Sequence, residues 1–362
     1  GPHPLDVVPD EPTAFDEAGT VLPSAASHIV PQRRAKPRGN GSAGPPVNLA
    51  PTTPVERTAA YTAQVKADIL GTIVHRKASQ VRMRAIEWLW PGKILLGAIS
   101  MIQGDPGLGK SQICTSIAAV VSQGGQWPVT REGCEAGDVV LLSAEDSESM
   151  AIAPRLAAAG ADMDRVTLLQ AFRDERRGGD GMRGFSFASD IAALGVLLDS
   201  LPNAKLVIID PASAYLGDVN GKAVDSHKNS DVRGLLRPLS QMAEARRVAV
   251  ILVNHLTKAS SQRALMRGQG NVAFVAVSRS VWGVCPDKDD PSKRLFLPLK
   301  NNLASDASDT GLSFTIEGLQ LEGVSDGEKP ITTSRIMWND EQVTVSADEA
   351  FGNAGLSHEE RG

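Results

Sequence analysis

Aromatic residues are few in this chain, cysteines fewer, long apolar runs absent and positive charge not in excess. Each shortage removes a class of function. Aromatic side chains make up 4% of the 362 residues, too few for a general base-stacking surface. The formal net charge is −5, from 37 Lys and Arg against 42 Asp and Glu. That balance excludes a protein that coats nucleic acid with its whole surface, while leaving room for a local basic channel. Cys114, Cys134 and Cys285 are widely separated and form no C-x-x-C pair, so neither a zinc site nor a disulfide framework is expected. No apolar run reaches the roughly 18–20 residues that span a bilayer; the best stretch, Ile94 to Ile102, is broken by Gly97 and Ser100. With unpaired thiols, no span and no secretory leader pattern, a cytoplasmic location without a membrane partner is expected. Gly1-Pro2 stands where a starting Met would, and the chain is expected to be a piece of a longer protein.

What is present is enough for a substantial core, since 42% of the residues are hydrophobic. The first 54 residues are rich in Pro, Gly, Ser and Ala, a composition that cannot bury enough apolar surface to offset ordering entropy, and a disordered arm is expected there. Near-helical spacing follows from Pro54 through Val55, Ala59, Ala63 and Leu70, predicting a helical segment over 55–83. The span 84–304 alternates apolar strands with helical patterns. Strands are expected over 98–103, 138–143, 166–169, 206–209 and 248–253, with helices over 109–122, 150–159, 190–201 and 231–246. Apolar strands alternating with helices predict an α/β fold with a mostly parallel sheet flanked by helices. Short strands over 279–284, 294–299, 312–317 and 333–338 are expected to extend the sheet and to give a small β-rich end, with a β-rich C-terminal extension over 305–346 and a flexible tail over 347–362.

The strongest chemical signal is Gly104-Asp105-Pro106-Gly107-Leu108-Gly109-Lys110-Ser111, which fits G-x-x-x-x-G-K-[ST] at every position. Glycines permit a tight turn whose backbone N–H groups face a β-phosphate. The helix that begins there adds its positive end. Lys110 would neutralise the β- and γ-phosphates, the Ser111 hydroxyl would ligate Mg²⁺, and Gln112 closes the nucleotide-binding stretch. ATP and Mg²⁺ are therefore the expected ligands.

Asp210 ends the apolar run Leu206-Val207-Ile208-Ile209, where a carboxylate can hold Mg²⁺ through water. Pro211 occupies the next position, so the acid that orients the attacking water must come from elsewhere. Glu145, in Ser143-Ala144-Glu145-Asp146 at the tip of another strand, is the favoured base, with Asp146 competing. His255 closes the strand Val248–Asn254 and is a candidate γ-phosphate sensor. The loop after it holds Lys258, Arg263 and Arg267, no acid, and Gly268 and Gly270, which suits an ATP-driven grip on a phosphodiester backbone.

These segments together resemble the RecA-like superfamily of P-loop ATPases, specifically the plasmid RepA-type hexameric replicative helicases. Gly104–Ser111, Ser143–Asp146, Ile208–Asp210, Val253–His255, Arg267-Gly268 and Ser278–Ser280 carry the likeness. It spans about Ile86 to Leu303. The resemblance implies a RecA-like core and a hexameric ring of identical subunits. It also implies single-stranded DNA in the central channel and replication, plasmid or phage proteins as partners. Arg279 matches the arginine that reaches a neighbour's site, and Lys300 is a second candidate trans cation. A recombinase-type filament, or a regulatory ATPase acting on protein partners, is the alternative.

Overall fold

The computed structural model describes residues 76–173, 181–219, 222–223, 229–255, 272–301, 303 and 310–352. The arm over 1–54, the start of the helical segment after it, the basic residues Lys258, Arg263 and Arg267, and the tail from 353 lie outside the described residues. Packing divides the chain into two units, Gly1–Ala85 and Ile86–Gly362. In the first, the described part holds a single 3-10 turn, Ala78–Gln80, closed by the Lys77 amide donating to Gln80 Oε1 at 3.0 Å.

The second unit carries a nine-stranded sheet among the described residues. Its strands are β1 (Ile99–Gly104), β2 (Asp138–Ser143), β3 (Val166–Leu168), β4 (Ala204–Asp210), β5 (Ala249–His255), β6 (Ser280–Pro286), β7 (Lys293–Asn301), β8 (Gly311–Asp326) and β9 (Lys329–Val343). The spatial order is β9-β8-β7-β6-β1-β5-β4-β2-β3. From β6 to β3 neighbouring strands are parallel, and β7, β8 and β9 extend the sheet antiparallel. The helices are α1 (Lys110–Gln123), α2 (Ala153–Ala158), α3 (Ile191–Ser200), α4 (Asn229–Arg246), α5 (Val272–Val277) and α6 (Ala347–Gly352). Among the described residues no helix is long and apolar enough to cross a membrane.

The parallel strands read as unbroken apolar runs because both faces are covered. On one face Val207, Ile209, Val250 and Leu252 pack with Leu194 of α3 and Leu236 and Leu239 of α4. On the other, Leu206, Ile208, Ile251 and Val253 pack with Ile113 and Ile117 of α1. Trp90, Trp127, Trp282 and Trp338 all lie on this second face. Trp90 stacks on Trp127 with centroids 4.8 Å apart, and Trp282 on Phe296 at 4.7 Å. Trp90, Trp127, Trp282 and Phe296 are all fully buried, so these rings are core and none of the four offers a face to bases. A third cluster, around Leu297 and Phe351, seats α6 on β6 and β7.

Four elements depart from the sequence expectation, the first being α6, a packed helix at the start of the span expected to be a flexible tail, held there by the burial of Ala350 and Phe351. The expected helix over 150–159 opens as a π-helical turn, Glu148–Ile152, before α2 begins with Pro154 in its first turn. Trp88–Trp90 and Ile94–Leu95 form a small antiparallel ladder around Pro91-Gly92. The two last expected strands are far longer than six residues each: β8 and β9 make a hairpin of 16 and 15 residues. Its outer half is largely exposed, and beyond the short run Leu319-Gln320-Leu321-Glu322 no alternation of apolar and polar residues marks it in the sequence.

Candidate active site

Strand parity decides which side chains meet. Side chains in a strand alternate between faces. Leu206 and Ile208 face α1, and so Asp210 does too, at the C-terminal end of β4. Val253 puts His255 on the same face of β5, and Val139 and Leu141 do the same for Ser143 of β2. Because these strands are parallel, their ends coincide. Ser143 pairs with Asp210, and His255 pairs with Gly104, the last residue of β1. The phosphate-loop motif leaves β1 at this edge and turns into α1.

The glycines of that turn are required for different reasons. Gly107 and Gly109 have φ of +80° and +88°, a left-handed region that costs other residues about 1–2 kcal/mol. A Cβ on Gly109 would also lie 3.1 Å from Ile316 Cδ1 and 3.3 Å from Phe314 Cε2. A Cβ on Gly104 would stand 2.6 Å from the Val284 carbonyl oxygen, so glycine there lets β6 run close beside β1.

A cleft of about 360 Å³ opens at this edge, and Pro106, Gly107, Gly109, Lys110, Ser111 and Gln112 line one side. Ser143, Glu145, Asp146, Asp210 and His255 line the other. Lys110 is buried, and its ammonium donates to the Asp105 carbonyl at 2.8 Å. Burial pushes its pKa down, against the pull of Asp210, Asp105 and Glu145. Burial also raises the pKa of Asp210; the Ser111 hydroxyl, which donates to it, and the Lys110 charge oppose the rise, while Asp146 and Glu145 add to it. The Glu145 carboxylate meets His255 Nε2 at 3.4 Å. The two residues expected to activate water and to sense the γ-phosphate are therefore in contact.

Asp146 is engaged elsewhere. Arg155 of α2 donates to it at 2.6 Å, and its amide donates to the Ser143 hydroxyl at 3.3 Å. That pairing leaves Glu145 as the freer of the two neighbouring acids. Nothing in the sequence singles out Arg155, because the link runs from a loop into the helix that follows. Ile316 of β8 also lines the cleft, and only tertiary packing brings it there. Leu108 packs into the core beneath the loop.

Arg279 and Lys300 do not join this cleft. The Arg279 amide donates to the Ile99 carbonyl at 2.8 Å, at the opposite end of β1 from Gly104. Five residues of strand put roughly 16 Å between the two ends. The Lys300 ammonium donates to the carbonyls of Val275 (2.9 Å) and Ser278 (2.7 Å), closing the C-terminal end of α5. Its pKa is lowered by burial first and by the Arg279 charge second.

No match is found among curated proteins. Residues 64–261 match the family described as the AAA domain. Since this span covers more than half of the chain and includes all four parallel strand ends that form the cleft, the chain belongs to the AAA domain family, whose members are nucleotide-binding ATPases.

Proposed function

We propose that the chain is the RecA-like motor of a ring-forming ATPase that couples hydrolysis of ATP to a grip on single-stranded DNA. The carrying observation is that Lys110, Ser111, Asp210, Glu145 and His255 converge on one cleft from four parallel strands. The left-handed glycines and the buried Lys110 suit a triphosphate wrapped by backbone amides. Mg²⁺ fits the same place, because the Ser111 hydroxyl and the Asp210 carboxylate meet there. Ser111 and Asp210, together with phosphate oxygens, make the sparse oxygen set this ion takes. When bound, Mg²⁺ would neutralise charge on the β- and γ-phosphates.

The chain's own residues then have separable tasks. Lys110 offsets phosphate charge. Glu145 orients a water and takes its proton as the water oxygen bonds to the γ-phosphorus and the bond to the β–γ bridging oxygen breaks, releasing ADP. His255 exchanges its Glu145 contact for the γ-phosphate and passes the change to the loop holding Lys258, Arg263 and Arg267. The position of Arg279, remote from its own phosphate loop, favours service in a neighbouring subunit's site, as a ring requires. Lys300 has a structural task in its own chain, and a trans role for it would need that bonding to break. Helicase-like work in replication or in maintenance of a mobile element fits this arrangement.

The test is ATP turnover with and without single-stranded DNA, alongside particle mass in Mg²⁺-ATP. Stimulation by DNA and a closed assembly of about six chains support the reading. Turnover indifferent to DNA, with no DNA bound, would replace it with a regulatory ATPase. A helical filament would replace it with a recombinase-type protein.

A further inference from the structure

The C-terminal hairpin reaches into the cleft from outside the span that matches the AAA domain family, which ends at residue 261. It is fastened to α1 at two points. Gln112 Nε2 donates to the Ser334 hydroxyl at 2.8 Å, and Trp338 Nε1 donates to the Ser116 hydroxyl at 3.0 Å. Phe314 and Ile316 stand over Gly109, and β9 also packs against α1 and α2. The hairpin root is thereby held at the start of the phosphate-loop helix.

The chemistry of the cleft wall is uneven. Lys110, Glu145, Asp146, Arg155 and Asp210 present charge and His255 a polar ring, which suits phosphates and a cation. Among the described residues lining the cleft, Ile316 is the one large apolar side chain, and it is half-buried. A nucleotide has one large apolar surface, the face of its base. We infer that the hairpin forms the base-binding wall of the site, with Ile316 covering one face of the purine. This rests on the reading of the phosphate loop as a triphosphate site. It makes nucleotide affinity depend on a segment remote in sequence from that loop. An aliphatic side chain contacts the ring face without reading its edge, so it contributes affinity and not a choice between purines.

Two probes separate base from phosphate: Mg²⁺-ATP, and Mg²⁺ with inorganic tripolyphosphate, which has no base. Titration calorimetry on the full chain compares wild type with Ile316→Ala. ATP affinity is expected to fall about five- to twenty-fold, the loss of a few buried methylenes, while tripolyphosphate affinity stays within about two-fold. Unchanged ATP affinity, or an equal loss for both ligands, would overturn the assignment. An equal loss would mean that the side chain only supports the loop. If wild type took up no tripolyphosphate, the phosphate-site reading would fail first and carry this one with it. Retained tripolyphosphate binding by the variant also shows that it is folded.

Discussion

Replacing Glu145 by Gln keeps the length of the side chain while removing its charge and its capacity to take a proton. The structure separates the cost to folding from the cost to chemistry. The Glu145–His255 contact is 3.4 Å long, with 62% and 35% of the two side chains exposed. A pair so solvated contributes at most about 1 kcal/mol, so the melting temperature should fall by no more than a few degrees. Loss of a general base costs about 10²–10⁴ in rate, or roughly 3–5.5 kcal/mol of barrier. Nucleotide binding should survive or tighten, because the Glu145 charge is one of those pushing the Asp210 pKa upward, and its removal eases the crowding of anions. Single-turnover hydrolysis by rapid quench, beside ATP affinity from fluorescence titration, reads both quantities. Turnover within about three-fold of wild type in a variant that binds ATP would refute the assignment. Asp146, freed from Arg155, would then be the acid to examine.

The phosphate-loop glycines give a graded expectation. Gly107→Ala meets open space and carries only the backbone cost of about 1–2 kcal/mol, whereas Gly109→Ala adds the approach to Ile316 and Phe314. Thermal melts should therefore place Gly109→Ala well below Gly107→Ala, and equal melting points would contradict the packing. Asp210→Asn is expected to abolish hydrolysis while raising the stability of the nucleotide-free protein at neutral pH. The folded pKa of Asp210 lies above its ordinary 3.8, so ionisation opposes folding above that pKa. The penalty is present at pH 7 and disappears as pH falls through the folded pKa toward 3.8. The advantage of Asn in denaturant titrations should shrink with acidification, and a variant less stable at pH 7 would reverse the sign of the argument. Arg279→Ala should lose hydrolysis and regain part of it when mixed with Lys110→Ala chains, since a neighbour can lend an intact arginine. No rescue in mixtures would restrict Arg279 to its own subunit.

The cleft edge was legible in the sequence because backbone geometry and strand parity leave little choice there. A turn that aims amides at phosphates needs glycine where φ is positive, as at Gly107 and Gly109. An acid closing a doubly buried strand, as Asp210 does, can reach only the open edge. The ends of β1, β2, β4 and β5 were therefore readable to within two residues from their apolar runs. The hairpin was not. Gly318, Gly323, Ser325, Asp326 and Gly327 read as turn residues, yet all but Gly327 belong to β8, and its exposed half buries too little to impose a period of two. Ile316 and Arg155 escaped for a related reason. Their importance lies in what the fold brings beside them, and neither sits in a spacing that chemistry prescribes. The same holds for Lys300, whose sequence context suggested a trans cation and whose bonds in the chain close a helix.

The proposed activity requires a triphosphate on the turn from Gly104 to Ser111. Calorimetric titration of purified protein with Mg²⁺-ATP tests it most directly, with Lys110→Ala as the control. Wild type is expected to take up the nucleotide stoichiometrically and saturably and the variant to lose that uptake, with both proteins folded by circular dichroism. Folded wild-type protein that takes up no adenine nucleotide, or a Lys110→Ala variant that binds it equally well, would rule out a triphosphate site on this turn.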